Sequence, residues 1–287
     1  VSAPPPRLYA IVASAAPVAV VFQRGPGKAW GIHRWNLSTG DLETGAVFRG
    51  TLYPRRCDLS PSGDLLYYFA LKRDSRAFLG ESGLKTYSAV SKLPWLFALA
   101  AWRESGTWTR GCHFVEAPST EEDGQIGPPQ AGDATPLRAR HHLALRRTTP
   151  LQYAVERRRG WLEDEDCPER GPNDAWDEQR SVILTKPRTS AKRAHADRLV
   201  LADRGWHREE GIEGRRPAYR LLRGKRTTDL TDVAWADWDP FGRLLVATRD
   251  ARLQIRDVDG VDLRVIREHH ITATPPAGPA PAWARAW

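Results

Sequence analysis

The 287-residue chain has no methionine, few lysines, and cysteine only at Cys57, Cys112 and Cys167. An odd number of cysteines without a Cys-x-x-Cys pair excludes a dense disulfide framework and a ribbon-type zinc site. A reducing compartment, the cytoplasm, is therefore the expected setting. No apolar run approaches the ~20 residues a spanning helix needs, so no membrane partner is expected. The chain starts at Val1, which leaves room for a trimmed leader. There is no Gly-x-Ser-x-Gly elbow and no Walker or dinucleotide-type glycine loop. No catalytic residue, cofactor or resident metal is assigned on these grounds.

What the chain has instead is arginine and tryptophan. Lysine and arginine total 43 against 35 acids, giving a formal charge of +8 and a pI near 9.7. Arginine supplies 36 of those 43, and its planar fork suits carboxylate and phosphate better than an ammonium does. Twelve tryptophans are many for this length, and their expected place is in seams between packed modules.

One stretch occurs twice. Asp58-Leu59-Ser60-Pro61-Ser62-Gly63-Asp64-Leu65-Leu66 returns as Asp237-Trp238-Asp239-Pro240-Phe241-Gly242-Arg243-Leu244-Leu245. Ser60 or Asp239 opens a tight turn, proline supplies its fixed φ, and glycine closes it where φ is positive. The apolar run that follows predicts a strand covered on both faces. Upstream, strands are predicted at Leu8–Ala13, Val18–Phe22, Trp30–Leu37 and Leu42–Phe48. The rhythm continues through Tyr53–Ser60, Leu65–Leu71, Lys85–Ser91, Leu96–Trp102 and Thr107–Val115. Ala139–Arg147, Leu151–Arg158, Ser181–Thr185, Arg198–Ala202 and Ala218–Leu222 follow. The last module reads Asp232–Asp237, Leu244–Thr248, Arg252–Val258 and Val261–Arg267. Loop insertions are expected near 116–136 and 163–180, and a Pro/Ala-rich tail at 271–287 packed on the surface or disordered.

The module ending in Leu253-x-Ile255-Arg256-Asp257-x-Asp259-Gly260 resembles a blade of the TolB-like and WD40-like β-propellers. Ile32-x-x-Trp35-Asn36-Leu37-Ser38-Thr39-Gly40 is similar to the WD40 strand that runs into a Thr-Gly turn, with Asn36 where that strand carries aspartate. The resemblance implies an all-β chain, one β-propeller domain over residues 1–287. At about 40–45 residues per four-stranded blade, five blades are expected, with six as the alternative.

Asp58 and Asp237 are candidate funnel carboxylates, although each is expected to accept N–H groups of its own turn. His141-His142, His269-His270 and Cys112-His113 place adjacent residues on opposite faces of a strand, a poor geometry for ligation. Cys57 is expected to be a buried strand residue. The favoured function is a non-enzymatic binding or scaffold module for a protein partner. The alternatives are a hydrolase using funnel carboxylates, or a nucleic-acid-binding propeller using an arginine-rich rim. The predicted partner-binding rim comprises Arg49, Arg55, Arg56, Arg73, Arg76, Arg223, Lys225, Arg226, Arg249 and Arg252, and would meet an acidic surface. A scaffold would also show an apolar or aromatic patch on one rim.

Overall fold

The computed structural model describes residues 4–26, 29–74, 83–107, 109–117, 135–148, 152–163, 181–188, 197–203, 212–259, 262–272 and 278–287, with backbone alone at 73–74 and 83–85. Nearly all regular structure is antiparallel strand, arranged in five sheets that follow one another along the chain. The first contains β1 (Arg7–Val12), β2 (Val18–Arg24), β3 (Ala29–Asn36) and β4 (Leu42–Arg49), each paired to the next. In the second, β5 (Thr51–Leu52) and β6 (Asp58–Leu59) flank a 3-10 turn at Pro54–Arg56. Both pair with β7 (Leu65–Asp74), which is followed by β8 (Gly83–Lys92) and β9 (Ala100–Arg103).

The third sheet has two strands, β10 (Cys112–Glu116) and β11 (Leu143–Arg147), with the short helix α1 (Thr135–His141) before β11. A second short helix, α2 (Ala154–Arg158), precedes the fourth sheet. That sheet is formed by β12 (Leu162–Glu163), β13 (Val182–Pro187), β14 (Asp197–Asp203), β15 (Ala218–Arg223) and β16 (Arg226–Leu230). The fifth is β17 (Val233–Trp238), β18 (Leu244–Thr248), β19 (Arg252–Asp257) and β20 (Arg264–His270).

The period of two along each strand decides which sheets touch. On β7, Leu66, Tyr68 and Ala70 belong to the core shared with the first sheet. Their alternates Leu65 and Tyr67 belong to the core shared with the third. On β18, Leu245 and Ala247 pack toward the first sheet, whereas Leu244 and Val246 pack toward the fourth. Both strands are covered on two faces, which is why they read as unbroken apolar runs. The first sheet thus lies between the second and the fifth.

Three expectations are corrected. Leu151–Arg158 is not a strand; its described part is a turn leading into α2. His141 and His142 sit at the end of α1 rather than on a strand. Strand β16 adds an outer strand where none was expected. The expected loops near 116–136 and 163–180 fall almost wholly outside the described residues, as does Cys167. Residues 278–287 pack against the second and third sheets. Lys92 Nζ donates to the Trp283 carbonyl at 3.0 Å, Arg140 Nη1 donates to that of Trp287 at 2.6 Å, and Ala284 is buried. Among the described residues, no helix is long and apolar enough to cross a membrane.

Candidate functional site: the turn end of the sheets

The two repeated turns have the same backbone. Gly63 and Gly242 have φ of 77° and 76°, the left-handed region that glycine enters without strain. Each glycine N–H returns to the first turn residue, Gly63 to the Ser60 carbonyl at 2.9 Å and Gly242 to the Asp239 carbonyl at 3.0 Å. Side chains close the turns differently. Ser60 Oγ accepts the Leu65 N–H at 3.0 Å. Asp239 Oδ1 accepts from Phe241 and Arg243 N–H at 2.9 and 2.7 Å, and Oδ2 accepts Arg243 Nε at 2.7 Å. Pairing differs by one residue as a result: Ser60 N–H reaches the Leu65 carbonyl, Asp239 N–H that of Arg243.

Both turns lie at one end of their sheets, against the same end of the first sheet. Ala15 N–H donates to the Pro61 carbonyl at 3.0 Å, and Arg243 donates to the Leu37 carbonyl. Ala15 and Leu37 belong to the β1–β2 and β3–β4 turns, which antiparallel pairing puts at one end. The β8–β9 connection joins them there through a 2.9 Å bond from Leu93 N–H to the Asp64 carbonyl. From the fourth sheet, Arg188 Nε reaches the Gly242 carbonyl at 2.6 Å, and Arg223 Nη1 the Val258 carbonyl at 3.2 Å. Four sheets therefore present one common end.

Three large aromatic side chains are exposed there or beside it: Phe97 (44%) in the β8–β9 connection, Phe241 (51%) in the turn itself, and Trp283 (52%) next to Lys92. The Arg243 guanidinium stacks 4.9 Å over the Phe241 ring, holding it outward. Lys225 and Arg226 are exposed at the tip of the β15–β16 hairpin on this end.

The ten basic residues predicted as one rim do not share one location. Only Arg223, Lys225 and Arg226 lie at the turn end. Arg249 and Arg252 sit at the opposite end of the fifth sheet, where Arg252 pairs with Asp250 at 2.8 Å and Glu268 at 2.5 Å. Arg49 is exposed at the last residue of β4, the end of the first sheet away from its two turns. The side chain of Arg73 and all of Arg76 lie outside the described residues.

Arg55 and Arg56 point inward. Arg55 Nη1 pairs with Glu156 Oε1 at 2.6 Å, its guanidinium stacked between Tyr9 (4.9 Å) and Tyr153 (4.5 Å). Arg56 donates to the carbonyls of Thr107 and Thr109 and stacks on Tyr53 and Phe69. The 3-10 turn that carries them folds both side chains away from solvent, which a strand reading of this segment does not anticipate.

The two repeat aspartates bind cations rather than their own turns. Asp58 Oδ1 pairs with Arg159 Nη2 at 2.9 Å, and Oδ2 accepts the Phe114 N–H of β10 at 2.9 Å. Asp237 Oδ1 takes Lys186 Nζ at 2.6 Å and the Trp238 N–H at 2.7 Å. Burial raises the Asp237 carboxyl above the usual range, with Lys186 opposing. Both clasps tie one sheet to another element, which is a structural use.

The thiols are buried, and burial raises both of their pKa values, Cys112 to about 11. His269 Nε2 lies 2.6 Å from the Gly40 carbonyl, and the His141 ring stacks 6.2 Å from Trp287. His142 and His270 are exposed. Among the described residues, no three His, Cys, Asp or Glu side chains gather as metal ligands would. No protein-family model matches the chain, and no curated protein matches its sequence.

Proposed function

We propose that the chain is a single five-bladed β-propeller acting as a non-enzymatic binding module, and that it docks a protein partner on the turn end of its sheets. The consecutive sheets, the first packed against the second and the fifth, the second against the third and the fourth against the fifth, support the propeller architecture. The binding reading rests on the exposed set Phe97, Phe241 and Trp283, because large aromatics left in water on one face mark interaction surfaces. Lys225 and Arg226 give that face a positive border suited to an acidic partner surface. The candidate acid/base groups Asp58 and Asp237 are already committed to Arg159 and Lys186.

The test is a capture experiment from the native host, with the captured partner purified and titrated against variants. Replacing Phe97, Phe241 and Trp283 together by serine should abolish binding and leave the melting temperature within a degree or two, since all three are solvent-facing. Binding that survives the triple variant, or that nuclease treatment removes, would overturn the assignment.

A further inference from the structure

Arg158 is placed unlike the other interior arginines. It projects from α2, and its side chain is only 21% exposed. Among the described residues its polar partners are Thr148 Oγ1 at 3.5 Å from Nη1 and Asp58 Oδ1 at 3.9 Å from Nη2. Neither is a good hydrogen bond, and its buried Nε has no partner. Asp58 is already shared with other donors: one oxygen is held by Arg159, the other by the Phe114 N–H, both at 2.9 Å. A largely desolvated guanidinium whose nearest carboxylate stands 3.9 Å away, beyond hydrogen-bond distance, and whose Nε is unpartnered, is costly to keep unless a further acceptor satisfies it.

The surroundings are those of an anion site. His113 and Arg146 face each other across β10 and β11. Thr148, two residues beyond Arg146, lies on the same face, and its hydroxyl is 3.3 Å from His113 Nδ1. Thr148 thus stands between the imidazole and Arg158. Burial, with the charges of Arg158, Arg146 and Arg159, lowers the His113 pKa from the ordinary 6.5 to about 4, and Asp58 opposes them. Three arginines, Arg146, Arg158 and Arg159, thus surround His113 against the single carboxylate of Asp58, and Arg146 is exposed to solvent.

We infer that Arg158, Arg146 and Thr148 form a binding site for a small phosphate-type oxyanion, on the face of the two-stranded third sheet beside α2. Guanidinium and hydroxyl donors in this arrangement fit an anion that presents several oxygens at once. The site is distinct from the aromatic turn end, and neither assignment depends on the other.

Titration calorimetry of the full chain with inorganic phosphate at low ionic strength tests it. Saturable one-to-one binding is expected, with a melting temperature that rises with phosphate and not with chloride at matched ionic strength. Arg158→Gln should weaken binding at least tenfold, and Arg146→Gln several-fold. Arg264→Gln, which removes the same charge from an exposed position on β20, should leave it unchanged. If Arg158→Gln fails to fold, Arg158→Lys keeps the charge but loses the fork and should still bind more weakly than the parent. Absence of saturable binding, or equal losses from Arg158→Gln and Arg264→Gln, overturns the site.

Discussion

Arg55 and Glu156, 101 residues apart in the chain, meet in a 2.6 Å ion pair in the interior, and Tyr9 donates its hydroxyl to the same carboxylate oxygen at 3.1 Å. The pair links the second sheet to α2, and Tyr9 adds the first sheet. Removing one partner leaves the other charge buried and uncompensated. Glu156→Leu or Arg55→Met should each therefore destabilise by about 3–5 kcal/mol. The double variant Arg55→Met with Glu156→Leu should recover most of that loss. Urea unfolding of the four proteins measures the coupling; additive losses would show that the pair does not act as a unit.

The turn glycines should be sensitive in a graded way. At both positions a side chain must adopt positive φ, a cost of about 1 kcal/mol. Gly63 carries a second penalty, because an added Cβ would come 2.8 Å from the Val18 Cβ. Gly63→Ala is thus expected to lower the urea midpoint clearly and by more than the backbone term alone. An unchanged midpoint in that variant would contradict the packing of this turn on β2.

Acid should weaken the fold through His33. Its ring is buried between Gln23 Oε1 (3.0 Å) and Thr44 Oγ1 (3.1 Å), and burial lowers its pKa to about 4 from the ordinary 6.5. The unfolded chain therefore binds the proton that the native chain refuses. Stability is full above pH 6.5 and falls as pH drops toward 4, by roughly 3 kcal/mol at most. Asp237 acts with the opposite sign. Its raised pKa favours the native state at low pH, and that contribution fades as pH rises through its native pKa. A His33→Gln variant should show a flatter stability curve between pH 4 and 6.5 than the parent.

Cys57 and Cys112 should be inert toward thiol reagents in the native state at pH 8, since both are buried with raised pKa values. Both should react fully in denaturant. Peptide mapping of the modified native protein checks this, and rapid labelling at either position would mean that the surrounding sheet opens readily.

The strands that bury two faces were the legible part of this sequence. Val18–Phe22, Leu65–Leu71 and Leu244–Ala247 are apolar without a break, and the Pro-Gly turns punctuate two of them. The hidden part was α2. Leu151, Tyr153 and Val155 alternate as a strand would, and five helical residues are too few for a 3.6 period to show. Glu156 was hidden with it, one acid beside Arg157, Arg158 and Arg159. Its only outward signal was that it stands at the start of the basic run. Arg55 and Arg56 were misplaced for a related reason: composition shows charge, while the direction of a side chain depends on a three-residue 3-10 turn. Phe241 was visible within the repeat, but exposure is a property of the assembled turn end.

Helix α2 has consequences for the order in which the chain matures. Five residues cannot hold a helix in water. Its neighbours come from far apart: Tyr9 and the Val12 carbonyl from the first sheet, Arg55 and Asp58 from the second, Thr148 after the third, and Tyr219 against Trp161 from the fourth. During synthesis the first two sheets leave the ribosome before α2 exists, with Arg55 and Asp58 awaiting Glu156 and Arg159. Docking of α2 is thus what gives Arg55 and Asp58 their ion-pair partners, so those interior charges are satisfied only once residues from both halves of the chain have met.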